Sequence, residues 1–216
     1  MNKQDEHLEN LSEIRSLMER SSRFISLSGL SGVAAGIFAI VGAVAAYYYL
    51  GKYEHTAAGE QAYYEYAKTT TGEVNTDFYT FFFTDAIVIL LVSVVTVCML
   101  TFRSAKKRGQ SVWDATAKRL LINMLIPLIT GGLFCLVLLY HELTALIAPA
   151  MLIFYGLALL NASKYTLDDI RYLGICEIGL GLIASLYVDY GLIFWAVGFG
   201  LLHIIYGMVM YNKYEK

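Results

Sequence analysis

A carboxylic acid and an imidazole, Glu177 and His203, stand inside stretches that are otherwise apolar. Ionisable residues within membrane-length apolar segments are costly, so each needs a partner or a function. Counted from the ends of their apolar stretches, Glu177 lies about 10 Å deep and His203 about 12 Å deep from the same side. The stretches that carry them are separated only by Asp189-Tyr190, a link so short that it forces an antiparallel hairpin. The two side chains are therefore expected at matching depth on adjacent helices. Such a pair could relay a proton, hold a cation, serve as acid and base, or lock the two helices by a hydrogen bond.

Other polar candidates are weaker. Asn123 in the third apolar stretch and Asn161 at the end of the fourth are expected to make hydrogen bonds between helices. Asp85, near the outer end of the second, could line a vestibule with His141, Glu142 and Asp189. A histidine with three carboxylates can bind a divalent cation, but solvated loop charges are the plainer reading. No metal site and no cofactor are assigned on this basis.

No catalytic residue is assigned either. There is no Walker A loop, H-E-x-x-H, G-x-S-x-G or dinucleotide fingerprint in the chain. Voltage-sensor and carbonyl-filter patterns are missing as well. Cys98, Cys135 and Cys176 each fall in an apolar stretch, with no Cys-x-x-Cys spacing, and are expected to be buried, inert thiols.

The elements that must position these residues follow from composition. Of 216 residues, 57% are apolar and 16% charged, and the mean hydropathy is +0.56. A soluble domain is about 45–50% apolar and about 25% charged. The excess excludes a disordered chain, a basic nucleic-acid-binding domain and a disulfide scaffold. It points to an all-α polytopic membrane bundle, with the lipid bilayer as its first partner and no nucleic acid.

A crossing helix needs about 20 mainly apolar residues. Six stretches qualify, at about residues 24–50, 81–102, 118–140, 145–163, 170–188 and 191–211. Residues 24–211 thus form a six-helix transmembrane domain with an extracytoplasmic loop at 51–80 and a cytoplasmic tail at 212–216. Ala43-Val44-Ala45 imitates a signal-peptide cleavage site, but the acidic segment ahead of the first run argues for a retained helix. Within the loop, residues 57–68 could form a short helix ended by Thr69-Thr70-Thr71-Gly72. Pro127 and Pro149 could kink the third and fourth helices.

Lysine and arginine test the layout. Alternating six spans gather Lys3, Arg15, Arg20 and Arg23 with Arg103, Lys106, Lys107, Arg108, Lys118 and Arg119. Lys164, Arg171, Lys213 and Lys216 fall on the same side, leaving only Lys52 and Lys68 on the other. The positive-inside rule then makes both termini cytoplasmic.

Residues 1–23 read as a cytoplasmic amphipathic helix, with Leu8, Leu11, Ile14 and Met18 recurring at spacings of three and four. It could lie in the interface, pair with a copy of itself, or dock on the bundle. In the first span, Ser28, Gly32 and Gly36 form one small-residue ladder and Ala35, Ala39 and Ala43 another. Small residues allow the close backbone approach that drives helix association in lipid, so this helix should be central or form a dimer seam. Gly174, Gly181 and Ser185 in the fifth span and Gly200 and Gly207 in the sixth point the same way. Spans one to three show no convincing similarity to spans four to six, so an inverted repeat is not supported.

The stretch from Leu17 to Gly32, LMERSSRFISLSGLSG, resembles the start of an uncharacterised family of bacterial multi-pass inner-membrane proteins with no established activity. The resemblance implies a bacterial inner membrane and assigns no functional residue. The expected function is a non-enzymatic sensor, regulatory or assembly subunit, with a second copy or a membrane or cytoplasmic protein as partner. A small transporter or proton-coupled permease using Glu177 and His203 is the alternative, and a lipid-acting membrane enzyme the third.

Overall fold

The computed structural model describes residues 28–54, 63–68, 72–107 and 113–216. The expected amphipathic helix at 1–23 lies outside the described residues. Six helices make up the bundle, and no strand is present among the described residues. They are α1 (Gly29–Glu54), α2 (Thr76–Lys107), α3 (Ala115–Tyr140), α4 (Ile147–Ala162), α5 (Asp169–Leu186) and a composite α6. Helix α6 runs as α-helical Gly191–Trp195, a π-helical turn Ala196–Leu202, and α-helical His203–Tyr214.

Among the described residues five segments, one for each of these helices but α5, are long and apolar enough to cross a membrane. The fifth of the six expected spans falls short on composition. Its 18 residues include Asp169, Arg171 and Glu177, and at 1.5 Å per residue they reach about 27 Å. Other boundaries move outward: α2 begins at Thr76 and ends at Lys107, so the loop expected at 51–80 is shortened at both ends. Within it, a 3-10 turn at Tyr63–Ala67 stands where a short helix was expected. Gly72, in the segment expected to end that helix, has φ +81°, a conformation glycine adopts without penalty.

Local sequence explains the helix starts. Asn75 Oδ1 accepts the Phe78 N–H at 3.2 Å, and Asp114 Oδ1 accepts the Ala117 N–H at 2.7 Å. Each side chain satisfies a donor that the first turn leaves open. Pro149 sits in the first turn of α4, where its missing N–H costs nothing. Helix α3 continues through Pro127 to Tyr140.

Contacts at the two ends fix the topology. At one end, Lys68 Nζ lies 2.6 Å from Glu142 Oε2, and the Tyr79 and Thr144 hydroxyls are 3.3 Å apart. The α1–α2 loop therefore meets the α3–α4 turn. The hydrogen bond and charge of Glu142 hold the Lys68 ammonium above its ordinary pKa. At the opposite end, the Gly29 N–H and the Ser28 hydroxyl donate to the Glu215 carboxylate. Lys213 Nζ and the Tyr214 hydroxyl donate to Asp169 Oδ2, at 2.8 and 2.6 Å. Burial pushes the Asp169 carboxyl up, but these hydrogen bonds outweigh it and hold it below the usual range. The start of α1, the start of α5 and the chain's last residues thus gather at one end.

Packing between the helices runs through glycine. A Cβ on Gly207 would lie 2.5 Å from the Val33 nitrogen, and one on Gly36 would lie 2.6 Å from the Gly200 oxygen. These pairs bring α1 and α6 into backbone contact, so the first ladder serves an interface within the chain. On the second ladder, Ala39 and Ala43 are buried and Ala35 half-buried. Gly174 and Gly181 face α4: their Cβ positions lie 2.8 Å from the Gly156 oxygen and 2.9 Å from the Pro149 oxygen. Ser185 donates within its own helix, to Gly181 and Leu182.

Outer faces are apolar. In α2 only Phe78, Thr101 and Ala105 are buried, while Leu90, Val95 and Met99 are exposed. Hydrocarbon, not water, is the solvent such a surface suits. Cys98 and Cys176 are exposed on this surface and Cys135 is half-buried, which corrects the expectation of buried thiols. The all-apolar flanking sequence gives no sign of which face of each helix turns outward.

Candidate functional site

Three helices converge on one polar chain. Helix α5 contributes Glu177, α6 His203 and α4 Tyr155. Glu177 is completely buried and His203 nearly so. His203 Nδ1 lies 2.9 Å from the Gly198 carbonyl and 3.5 Å from Glu177 Oε1. On the other side of the ring, Nε2 is 2.7 Å from the Tyr155 hydroxyl.

The partners fix the tautomer of the neutral ring. A carbonyl only accepts, so Nδ1 carries the hydrogen and donates to Gly198, while Nε2 accepts from the Tyr155 hydroxyl. Neither oxygen of Glu177 has a hydrogen-bond donor. A buried polar group without a partner is costly, more so when charged. One further proton relieves the site in either of two places. On the carboxyl it gives a neutral pair; on the imidazole it gives an ion pair, with the Tyr155 oxygen then accepting from Nε2.

Local backbone makes the arrangement fit. The π-helical turn spans Ala196–Leu202, and the His203 ring closes onto the carbonyl five residues earlier. Such turns are rare and often mark functional positions. Gly198 leaves space for two buried side chains that would have to shift if it carried one, since a Cβ there would lie 2.4 Å from Leu152 Cδ2 and 2.6 Å from Glu177 Oε2. Phe199 flanks both rings, with its centroid 5.0 Å from Tyr155 and 6.2 Å from His203. Replacing Gly198 by alanine should therefore destabilise the bundle by about 1–3 kcal/mol. Denaturant titration in detergent would measure this; an unchanged midpoint would show that the carboxylate and Leu152 yield freely.

The hairpin of α5 and α6 brings Glu177 and His203 together. The remaining candidates do not join them. Asn123 donates to the Arg119 carbonyl of its own helix at 2.8 Å, not to another helix. Asn161 accepts from nearby Lys164 at 3.3 Å. Asp85 borders α1, its Oδ2 3.2 Å from where a Gly42 Cβ would stand, while Glu142 is engaged with Lys68. Among the described residues no group of three or more His, Cys, Asp or Glu side chains is placed to hold a metal.

The sequence alone does not single out Tyr155 or Gly198. Tyr155 reads as one more aromatic in an apolar run. The Gly198-Phe199-Gly200 spacing within a helix was the available signal for the second.

No family model, curated protein sequence or solved structure matches this chain. What the site does must be argued from its geometry.

Proposed function

We propose that this chain is a six-span protein of a bacterial inner membrane, acting without catalytic turnover as a sensor, regulatory or assembly subunit. In this reading α5 crosses with the other five helices, its one mid-helix charge enclosed by α4 and α6. The end that carries Glu215 is cytoplasmic, because basic residues concentrate there. The supporting observation is the complete burial of Glu177. A carboxylate sealed among three helices suits a two-state packing element better than a substrate site.

The link outward runs along α6. That helix carries His203 and Gly198 and meets α1 backbone to backbone through Gly207 and Gly200. Residues 1–22 precede α1 in the sequence. A proton shift at Glu177 and His203 would thus bias the helix pair that presents the leading segment to a partner.

The test uses the full chain in its membrane, with photo-crosslinking from positions in residues 1–22. Protein adducts are expected on the intact chain, with a pattern altered in Glu177→Gln and His203→Ala. An unchanged pattern in both variants would refute the coupling.

A second reading, a proton-coupled permease, draws on the two unpartnered oxygens of Glu177 and the adjacent π-helical turn. Purified protein in liposomes with an internal pH dye separates the two. Proton or solute flux that disappears in Glu177→Gln would replace the first reading with the second.

A further inference from the structure

We propose that the unpacked junction of α2 and α3, at the end of the bundle that carries Glu215, binds one anionic phospholipid. Its headgroup lies against Arg103, Lys106, Lys107, Lys118 and Arg119, and its acyl chains lie along the two helices.

Helices α2 and α3 follow one another in the chain without sharing a packed face. Helix α2 packs on α1, and α3 packs on α4. Consecutive helices that leave each other unpacked expose two apolar walls; Val95, Met99 and Phe102 on α2 and Ile122 and Ile126 on α3 are all exposed. Lipid chains are the natural occupant of such walls, since lipid-facing residues need only apolar contact.

Charge selects the headgroup. The last turn of α2 and the first turns of α3 carry five exposed cations. Arg103, Lys106, Lys107 and Arg119 make no ion pair among the described residues, and Lys118 rests only over the Trp113 ring, 5.9 Å from its centroid. The acid described beside them, Asp114, is used to cap α3. Elsewhere at this end two cations are engaged, Lys213 with Asp169 and Lys164 with Asn161, while Arg171 and Lys216 stand on other elements, away from the α2–α3 junction. Trp113 is 64% exposed, at the level where tryptophan favours the membrane interface. Unpaired cations above bare apolar walls, with an interfacial indole, fit a diacyl phosphate better than a soluble anion, which would leave the walls without a partner. Basic clusters between helices on this side bind acidic headgroups by the same physics.

The experiment titrates phosphatidylglycerol and phosphatidylcholine onto the full chain in a neutral detergent, read by native mass spectrometry. One retained phosphatidylglycerol is expected, in preference to phosphatidylcholine. Each basic residue near the surface supplies about 1 kcal/mol of attraction, so R103Q/K106Q/K107Q should weaken retention by at least about 10-fold. The variant K164Q/R171Q/K216Q loses the same charge at the same end and should stay within about threefold of the parent. The charge-keeping variant R103K/K106R/K107R should retain binding, which separates loss of charge from a misinserted chain. Equal loss in the two triple variants, or equal retention of the two lipids, would overturn the proposal. So would glycerol phosphate competing as well as the diacyl lipid.

Discussion

His203→Ala is expected to lower the stability of the bundle by about 3–5 kcal/mol, as for loss of one member of a buried polar pair. Three groups lose their neighbour at once. The Tyr155 hydroxyl loses its acceptor at 2.7 Å, the Gly198 carbonyl its donor at 2.9 Å, and Glu177 the imidazole 3.5 Å from its carboxylate. Each unsatisfied group costs about 1–3 kcal/mol, and the vacated ring adds a cavity. The lipid surroundings offer none of these groups a replacement.

The double variant Glu177→Leu/His203→Leu should recover the part of the loss that comes from the buried carboxyl and the cavity, because apolar side chains fill the space and remove that desolvation cost, while the Tyr155 hydroxyl and the Gly198 carbonyl stay without their partners. Glu177→Gln should cost about 1 kcal/mol or less, because it keeps the shape and removes an ionisable group whose oxygens have no donor. Unfolding in mixed micelles, followed by helical circular dichroism, measures all three. A His203→Ala loss below about 1 kcal/mol would mean that the polar chain does not hold α4, α5 and α6 together.

The same residues show how far the sequence could be read. The meeting of Glu177 and His203 is set by hairpin arithmetic: two residues at equal distances from a tight turn must face the same depth. Nothing comparable announces Tyr155, because α4 reaches α6 through tertiary packing and no short link fixes its register. The π-helical turn is hidden for a different reason. It shifts the helix by a single residue, too little to disturb an apolar pattern that already covers all faces.

Helices α2 and α3 make the converse point. Their hydropathy marks them as spans, yet an all-round apolar helix does not say which side meets protein. Their position at the edge of the bundle, and the exposed Cys98, had no signature in the pattern. The interhelical role expected of Asn123 fails on geometry: an amide one turn from its own Arg119 carbonyl finds an acceptor without crossing to another helix.

The α1–α6 seam carries the second large effect. Gly207→Ala should destabilise the fold by about 1–3 kcal/mol, even though alanine favours an isolated helix over glycine by about 1 kcal/mol. The sign is decided by what the new carbon meets. At Gly207 it would lie 2.5 Å from the Val33 nitrogen and 2.6 Å from the Gly29 oxygen. Both are backbone atoms and neither can rotate away, so the helices themselves must separate.

Separation at that point has a further cost. The Gly29 N–H and the Ser28 hydroxyl are held by Glu215, eight residues beyond Gly207 on the same chain end. Parting the seam pulls the start of α1 from this cap, and no hydrophobic force between helices in lipid restores it. Gly207→Leu should go further and release α1, seen as fast hydrogen exchange along residues 29–46. Gly132→Ala and Gly179→Ala are the controls, since nothing lies within 4 Å of either new carbon. Both should be neutral or stabilising by up to about 1 kcal/mol. If Gly207→Ala behaved like these two, the close approach of α1 and α6 would not be what holds the leading half of the chain to the site.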